Sequence, residues 1–218
     1  MDEKSLCVII ANGDVENYQW LIQVTQQAAL IIAVDGGCEH LRHADVIPTL
    51  VIGDLDSISK QTVIWIQQHQ IETVRYPVDK DWTDLELAIQ YAVEHFTGNI
   101  QIIGALGGRT DHAMANILLL AQPAWLNREI ELIRPNERIW LFTGQEKISA
   151  TIGDTISLIP IAGDVVVRAT AGLKWPLKHS TLHFGFARGV SNILTATTAT
   201  IQLESGILAC FITAASLT

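Results

Sequence analysis

The stretch that decides the fold is Val51-Ile52-Gly53-Asp54-Leu55-Asp56-Ser57. Apolar β-branched residues followed by glycine and aspartate are typical of a buried strand that ends in a turn. In an open α/β sheet, ligands bind where parallel strands end at their carboxyl edge. Mg²⁺ is usually held there by one or two carboxylates together with substrate phosphates. Asp54 and Asp56 are therefore candidate metal ligands. The alternative is that the two aspartates only form a turn, since aspartate is common in turns.

The same pattern recurs along the first half of the chain. Three more strand-like runs are each followed by an acidic or glycine-rich cluster: Asp35-Gly36-Gly37, Asp79-Lys80-Asp81-Trp82-Thr83-Asp84, and Gly107-Gly108-Arg109-Thr110-Asp111-His112. Each cluster lies between a strand-like run and a helix-like run. Turn chemistry alone does not explain why aspartate recurs at successive strand ends, so the combination indicates a functional site.

Strand-like and helix-like runs alternate up to about residue 135, with short links between them. This alternation predicts an α/β fold, with an N-terminal Rossmann-like parallel sheet and helices on both of its faces. One helix, over 111–126, is strongly apolar, and we expect it to be buried on most sides. Beyond residue 135, short β-type runs separated by glycine and aspartate predict a C-terminal all-β sandwich. We expect the α/β domain to span 1–137 and the all-β domain to span 138–218.

Charge and composition exclude several classes of protein. A formal net charge of −9 argues against a nucleic-acid partner, because proteins that bind nucleic acids present basic faces. No apolar run is long enough to span a membrane, and the first residues do not resemble a signal peptide. The three cysteines are far apart and are expected to be reduced and mostly buried. We expect a cytoplasmic protein.

The glycine-rich cluster predicts a phosphate site. Gly107, Gly108 and Arg109 offer backbone N–H groups beside a guanidinium, and the helix that starts near Asp111 adds its positive end. Neither a dinucleotide fingerprint nor a Walker A motif is present. Alternatives remain open for the neighbouring groups. Lys80 could reach a phosphate or only balance local charge, and His112 could cap or pack a helix rather than take part in catalysis.

Two other groups of residues have a structural and a functional interpretation. Asp84 follows Thr83 in a capping box with Glu86, and an acid in the first helical turn is favoured by the helix dipole. In the second domain, Trp175 lies in the turn-rich stretch Gly172-Leu173-Lys174-Trp175-Pro176-Leu177, where its ring could stack on a flat ligand or pack in a core. Ser191-Asn192 could bind the same ligand or form an ordinary turn.

Taken together, these motifs resemble the thiamine pyrophosphokinase (thiamine diphosphokinase) family over essentially the whole chain. The residues that carry the resemblance are Asp35-Gly36-Gly37, Gly53 to Ser57, Lys80 to Glu86, Gly104 to His112, Gly172 to Leu177, and Ser191-Asn192. Each motif is short, but their order and joint presence are specific. The resemblance implies transfer of a pyrophosphoryl group from ATP to thiamine, with Mg²⁺, to give thiamine diphosphate and AMP.

The resemblance also implies roles for individual residues. The catalytic centre would contain Asp54, Asp56, Asp81 and Asp84, of which Asp54, Asp56 and Asp84 would bind the metal. The nucleotide and its phosphates would be bound by Asp35, Gly36, Lys80, Thr83, Gly108, Arg109, Asp111 and His112. Thiamine would be bound by Trp175, Ser191 and Asn192. The family forms a homodimer whose active sites are shared, the all-β domain of one subunit completing the α/β domain of the other.

Two alternative functions fit parts of the pattern. A pterin diphosphokinase would use a similar acidic α/β site with a different acceptor, but the second domain with Trp175 and Ser191-Asn192 favours thiamine. A non-catalytic ligand-binding protein on the same fold would not require the full set of acids.

Overall fold

The computed structural model of the protein describes residues 5–56, 58–76, 81–126 and 128–215. The chain divides into two compact units, the first formed by Met1–Leu119 with Arg128–Pro135 and the second by Leu120–Asn127 with Asn136–Thr218. The domain boundary that we predict at residues 137 and 138 lies close to the last of these division points. The function of each domain stays a prediction at this stage.

The first unit is built on parallel strands. They lie side by side in the order β6-β5-β1-β2-β3-β4, and every pairing in this order is parallel. The bounds are Leu6–Ile10 (β1), Leu30–Val34 (β2), Leu50–Ile52 (β3), Glu72–Val74 (β4), Asn99–Ile103 (β5) and Ile130–Arg134 (β6). In β1, Cys7, Val8, Ile9 and Ile10 are fully buried, as strands covered on both faces require. The predicted parallel α/β sheet is confirmed.

Helices cover both faces of this sheet. Their bounds are Tyr18–Thr25 (α1), Gly37–His43 (α2), Lys60–Gln68 (α3), Asp84–His95 (α4) and Thr110–Leu119 (α5). Leu21 of α1, Leu41 of α2 and Ile66 of α3 pack in one cluster with Val8 and Ile10 of β1. Helix α4 contacts β1, β2 and β3, but its buried residues lie outside that cluster. Because alternate side chains of a strand face opposite sides, α4 covers the other face.

Helix α5 differs from the prediction. It ends at Leu119 rather than at residue 126, and none of its residues is buried in the single chain. Met114 is 63% exposed and Leu118 is 42% exposed. The expectation of a helix buried on most sides was therefore wrong. Apolar composition shows that a helix has apolar faces to cover, but it does not show that its own chain covers them.

The second unit is an antiparallel β-sandwich. Strands β12-β9-β14-β7 lie side by side in that order, and β11-β10-β13-β8 form a separate four-stranded sheet. The bounds are Glu137–Phe142 (β7), Gln145–Ser149 (β8), Thr155–Pro160 (β9), Val165–Ala171 (β10), Lys178–Leu182 (β11), Asn192–Ile193 (β12), Thr198–Ser205 (β13) and Leu208–Thr213 (β14). Trp140, Ile156 and Leu208 from the first group pack against Val167 and Ile201 from the second. The predicted all-β domain is confirmed, with β11 and β12 as strands that the sequence did not predict.

Two further observations concern the chain as a whole. In the part of the chain that the structure describes, no helix is long and apolar enough to cross a membrane. Cys7, Cys38 and Cys210 are buried and are not joined in disulfides, and burial raises the pKa of Cys7 and of Cys38 to about 12. These thiols are therefore structural core residues, as predicted.

Candidate active site

The loops after β2, β3, β4 and β5 carry the predicted acidic and glycine-rich residues. Because these strands are parallel, the loops leave the sheet at the same edge. The strand order also reverses here: β2, β3 and β4 extend the sheet on one side of β1, whereas β5 lies on the other side. Ligands of open α/β sheets bind in the crevice at such a switch point. The crevice beside the ends of β1 and β5 is thus the candidate site of the first unit.

Asp35 brings the acidic loops together. It follows β2 in a left-handed conformation (φ 43°), which a residue other than glycine rarely adopts. Its Oδ1 accepts a hydrogen bond of 3.4 Å from the backbone N–H of Leu55. Burial, a hydrogen bond with the Asp84 carboxyl group, and the charges of Asp84 and Asp54 together raise the pKa of Asp35 to about 7. Three strand ends therefore deliver carboxyl groups to one place.

Asp54 and Asp56 form a tight turn after β3. The backbone N–H of Asp56 donates to Asp54 Oδ1 over 3.0 Å. Leu55 between them is left-handed (φ 65°) and packs its side chain against the core. Repulsion by Asp54 raises the pKa of Asp56, and the charge of Asp84 adds a smaller effect. The turn thus keeps the leucine inside while it groups the two carboxylates with Asp84.

Two glycines allow neighbouring loops to approach this closely. A Cβ atom on Gly53 would collide with Oδ1 of Asp35, and a Cβ atom on Gly13 would collide with the carbonyl oxygen of Gly104. The first contact joins the loops after β2 and β3, and the second joins the loops after β1 and β5. Glycine is required at Gly13 because the contact is with backbone, and at Gly53 because its φ is +140°.

Asp54, Asp56 and Asp84 are the predicted metal ligands. Within the described ranges, no group of three acidic, histidine or cysteine side chains is already arranged to hold a metal ion. The donor chemistry nevertheless fits Mg²⁺, which prefers carboxylate oxygens. Repulsion by Asp54 raises the pKa of Asp56, and repulsion by Asp84 and Asp54 adds to the effect of burial on the pKa of Asp35. A divalent cation would relieve this repulsion.

The start of α4 carries the next group of predicted residues. Thr83 is the N-cap, and its hydroxyl accepts from the backbone N–H of Glu86 over 3.2 Å, which confirms the predicted cap. Asp84 is the first residue of the helix, and Asp81 is exposed in the preceding loop. Lys80, predicted to bind phosphate, lies outside the described residues.

The loop after β5 contains the predicted phosphate-binding residues. Gly108 is left-handed (φ 63°), and its N–H donates to Asp14 Oδ2 over 3.0 Å. Arg109 donates two hydrogen bonds to the Asp111 carboxylate, of 3.2 and 2.6 Å, and this pairing holds the pKa of Asp111 below its usual range. His112 is exposed in the first turn of α5. A phosphate that accepts a hydrogen bond from Gly108 or Arg109 would therefore share that donor with the carboxylate of Asp14 or Asp111, or displace the carboxylate.

A hydrogen-bond network behind the acidic loops joins α2 to the start of α3. Glu39 accepts from the Ser59 N–H over 2.6 Å and from the Thr62 hydroxyl over 2.7 Å. Arg42 donates to Thr62 over 2.7 Å and to Glu39 over 3.3 Å. Burial alone would raise the pKa of Glu39, but hydrogen bonds from Thr62, Ser59 and Arg42 lower it to about 2. The network fixes the helix start that closely follows the Asp54–Asp56 turn.

Trp175 presents an aromatic face in the second unit. It lies in the segment that connects β10 to β11, and it is 53% exposed, so it is not a core residue. Lys174 places its Nζ atom 4.8 Å from the centre of the ring, which is a cation–π contact. The Lys174 ammonium group thus covers one face of the indole, and a flat ligand would stack on the opposite face.

Asn192 holds the backbone of Trp175. Its Oδ1 accepts from the N–H groups of Trp175 (3.1 Å) and Ile193 (2.9 Å), and its Nδ2 donates to the Trp175 carbonyl over 2.7 Å. Asn192 is only 9% exposed. Ser191 beside it is exposed and left-handed (φ 60°). The predicted contact of Asn192 with the ligand stays a prediction, while its observed contacts position Trp175.

The two units match two parts of one protein family. Residues 21–133 match the family model described as the catalytic domain of thiamin pyrophosphokinase, and residues 145–208 match the one described as its vitamin B1 binding domain. The chain belongs to the thiamine pyrophosphokinase family. The first match contains the acidic loops and the second contains Trp175 and Asn192, so each group of predicted residues falls within its own family domain.

Individual members of the thiamine pyrophosphokinase family agree with this assignment. The enzyme of Bacillus subtilis is 34% identical over 202 residues, covering 92% of this chain and 94% of that protein. Thiamine pyrophosphokinase 2 of Arabidopsis thaliana is 31% identical over 173 residues, covering 74% of this chain and 64% of that protein. A crystal structure of the Bacillus subtilis protein superimposes with a TM-score of 0.87 at 31% identity, over 96% of this chain and 99% of that one.

Two residues of this thiamine pyrophosphokinase fold escaped the sequence prediction. Asp14 lies in the turn after β1, where an aspartate is explained by turn chemistry alone. Glu39 lies in the first turn of α2, where an acid is explained by the helix dipole. Their partners, Gly108 for Asp14 and Ser59 and Thr62 for Glu39, are at least 20 residues away. A local sequence pattern cannot predict contacts between residues so far apart in the chain.

Proposed function

We propose that this protein is a Mg²⁺-dependent thiamine pyrophosphokinase. It transfers the terminal pyrophosphoryl group of ATP to the hydroxyl group of thiamine, so that thiamine diphosphate forms and AMP leaves. The observation that carries the proposal is the meeting of Asp35, Asp54 and Asp84, from three different strand ends, in one acidic cluster. Family membership and the Bacillus subtilis relative support the choice of reaction.

Each group at the edge of the sheet has a role that suits this reaction. Asp54, Asp56 and Asp84 would hold Mg²⁺, which when bound supplies positive charge to the phosphate oxygens. Arg109 would stabilise charge on the transferred group, since phosphoryl-type transfer depends on positioning and electrostatics. The surrounding nucleotide site would be completed by Asp35, Gly36, Lys80, Asp81, Thr83, Gly108, Asp111 and His112.

The second unit would bind the acceptor. Trp175 offers one open aromatic face for the rings of thiamine, because Lys174 covers the other. Ser191 would contribute a polar contact, and Asn192 would fix the loop that carries the indole. The match of residues 145–208 to a vitamin B1 binding domain supports thiamine over a pterin as acceptor. The acidic cluster argues against a non-catalytic binding protein, which would have no need of it.

We further infer that the enzyme is a cytoplasmic homodimer with shared active sites. Helix α5 supports assembly, because its apolar residues are exposed in the single chain. Three buried thiols suit a reducing compartment. In this arrangement, the α/β domain of one subunit binds ATP and the all-β domain of its partner presents thiamine.

A product assay tests the proposed reaction. Purified protein is incubated with ATP, thiamine and Mg²⁺, and the nucleotides and thiamine species are separated. We expect AMP and thiamine diphosphate in equal amounts, and neither product after chelation of the metal. ADP as the main nucleotide product would contradict pyrophosphoryl transfer.

A further inference from the structure

Asp14 bridges the crevice at the switch point of the sheet. It follows β1, whereas its hydrogen-bond donor Gly108 follows β5, 94 residues later in the chain. Strands β1 and β5 are the neighbours between which the strand order reverses. The 3.0 Å contact between Asp14 Oδ2 and the Gly108 N–H therefore ties together the two loops that border the candidate nucleotide site.

The turn that carries Asp14 is fixed from two directions. The Gly13 N–H donates to the Gly104 carbonyl over 2.7 Å. The Gly13 carbonyl accepts from His40 Nε2 over 2.9 Å, and His40 Nδ1 accepts from the Tyr18 hydroxyl over 2.9 Å. Burial lowers the pKa of His40, which favours the neutral ring that this donor and acceptor pattern requires. The backbone next to Asp14 is thus held in place by hydrogen bonds on both sides of the turn.

The loop that Asp14 holds would otherwise be easy to deform. Gly107 and Gly108 are consecutive left-handed glycines, with φ values of 90° and 63°, and glycine loses more conformational freedom on ordering than any other residue. At its other end the loop is tied by a 2.8 Å hydrogen bond from Asn116 Nδ2 to the Ala105 carbonyl. Arg109 is the next residue in the chain after Gly108, which Asp14 holds.

We propose that Asp14 is a positioning residue of the nucleotide site: its carboxylate fixes Gly108, and Gly108 in turn places Arg109 for the triphosphate. This inference rests on the proposed function. A carboxylate that only bordered the crevice would repel a triphosphate, and its removal would strengthen nucleotide binding. A positioning role predicts the opposite sign. Hydrogen bonds from an N–H to a carboxylate are stronger than those between neutral groups, which makes the difference measurable.

Nucleotide binding without turnover tests the proposal. The ligand is an ATP analogue with a methylene bridge between the α and β phosphorus atoms, titrated calorimetrically with Mg²⁺ present. We expect Asp14→Ala to weaken binding about tenfold, the equivalent of ~1.4 kcal/mol. Asp14→Asn keeps an acceptor oxygen, so its Kd should stay within about threefold of the unmodified value. Glu94→Ala, which removes an exposed carboxylate from α4, controls for net charge and should bind normally.

Steady-state kinetics separate positioning from general damage. Asp14→Ala should raise KM for ATP and leave KM for thiamine unchanged, with Asp14→Asn restoring the ATP value. Tighter or unchanged analogue binding in Asp14→Ala would overturn the proposal, and so would equal weakening of both substrates. An unmodified enzyme that binds the analogue but makes no AMP would refute the proposed reaction and leave this test intact.

Amide hydrogen exchange gives a readout that needs no variant. In the unmodified, nucleotide-free protein, the Gly108 N–H should exchange at least about tenfold more slowly than in an unstructured chain, because a hydrogen-bonded amide must open before it exchanges. Exchange at the unstructured rate would contradict the Asp14 contact, even if Asp14→Ala failed to fold.

Discussion

At the scale of single residues, the site is marked by unusual backbone as well as by acidic side chains. Asp35, Leu55 and Ser191 are all left-handed, with φ values of 43°, 65° and 60°. Such conformations cost free energy in residues other than glycine and tend to persist at functional positions. Asp35 and Ser191 are also predicted to bind substrates on other grounds. Asp45, Gln70 and His179 share this conformation without a predicted role, so the backbone supports an assignment only together with the chemistry of the side chain.

The paired aspartates give the most direct prediction at this scale. We expect Asp54→Asn and Asp56→Asn each to lower kcat at least about tenfold, because each removes a charge that would hold the metal. Folding should survive, since Asp56 is exposed and Asp54 is partly exposed. The measurement is initial rates of AMP formation beside thermal melts.

A matched control for these variants is Asp45→Asn. Asp45 is also exposed and left-handed (φ 54°), but it follows α2 at the opposite edge of the sheet, and asparagine tolerates that conformation. Its rate should be normal. A normal rate in Asp54→Asn or Asp56→Asn would instead show that the substituted aspartate is not needed for catalysis and has only a structural role.

Glu39 should make stability depend on pH. Its pKa is lowered from 4.5 to about 2 in the folded state, so its ionised form contributes stability above pH ~4.5 that is lost as the pH falls towards about 2. Glu39→Gln removes this dependence. Urea unfolding at several pH values should show a stability gap between the two proteins that is full above pH ~5 and narrows at lower pH. A gap that stays constant would show that the hydrogen bonds do not favour the ionised carboxylate.

At the scale of elements, the sequence predicted regular structure where its periodicity was clear. The strands of the first unit are short apolar runs such as Leu50–Ile52, and Thr83 marked the start of α4 by its capping chemistry. Strand β11, Lys178–Leu182, escaped prediction because most of its residues are polar and only Leu182 is buried. Strand β12 has two residues, too few for any period. Where these elements meet could not be predicted, because contacts such as Asp14 with Gly108 depend on strand order.

The junction between α2 and α3 should be sensitive to the loss of one hydroxyl group. Thr62 is fully buried, and its hydroxyl bonds to Glu39 and Arg42. We expect Thr62→Val to lower the free energy of unfolding by ~2 kcal/mol, because it removes hydrogen bonds to the charged groups of Glu39 and Arg42, whose side chains are 31% and 33% exposed. Urea denaturation measures the change.

Thr25→Val is the matched control for this change. Thr25 is 3% exposed, but its hydroxyl bonds only to the carbonyl groups of Leu21 and Ile22 in its own helix. Its loss should cost less than about 1 kcal/mol, because those carbonyls keep backbone partners. Equal losses in both variants would show that the network between α2 and α3 adds nothing beyond local bonds.

The turn between β10 and β11 should determine affinity for the acceptor. Trp175→Ala removes the exposed indole, and stacking on a cationic ring contributes about 0.5–2 kcal/mol. KM for thiamine should therefore rise about three- to thirtyfold, while KM for ATP stays unchanged. Ile152→Ala, which shortens another exposed side chain of the second unit (59% exposed), should change neither value. A rise in KM for ATP alone would instead indicate that Trp175 contacts the nucleotide.

At the scale of the whole molecule, each unit has a core of its own. One core lies under α1, α2 and α3, and the other lies between the two layers of the β-sandwich. The predicted division of labour follows the same line, with metal and phosphate chemistry in the first unit and acceptor binding in the second. The exposed apolar residues of α5 matter at this scale, because they would be covered in the homodimer proposed above.

Assembly through α5 can be tested with one substitution. Met114 and Leu118 are one helical turn apart and both exposed, so they form a continuous apolar surface. We expect Met114→Glu to convert a dimer into a monomer in light scattering and to lower activity if the sites are shared. Ile64→Glu, at an exposed position of α3 (52%), should remain dimeric. A dimeric Met114→Glu protein would place the interface elsewhere.

The glycine contacts between neighbouring loops have a consequence for how this enzyme can evolve. Gly53 is pressed against Asp35, and Gly13 is pressed against Gly104, so a side chain at either position needs a compensating change in another loop. Gly53 also has a φ of +140°, which strains any residue with a side chain, and the contact of Gly13 is with a backbone carbonyl, so a single compensating substitution does not open either position. The loops of the acidic edge are inherited as a set, whereas the exposed segments around them are free to diverge one residue at a time.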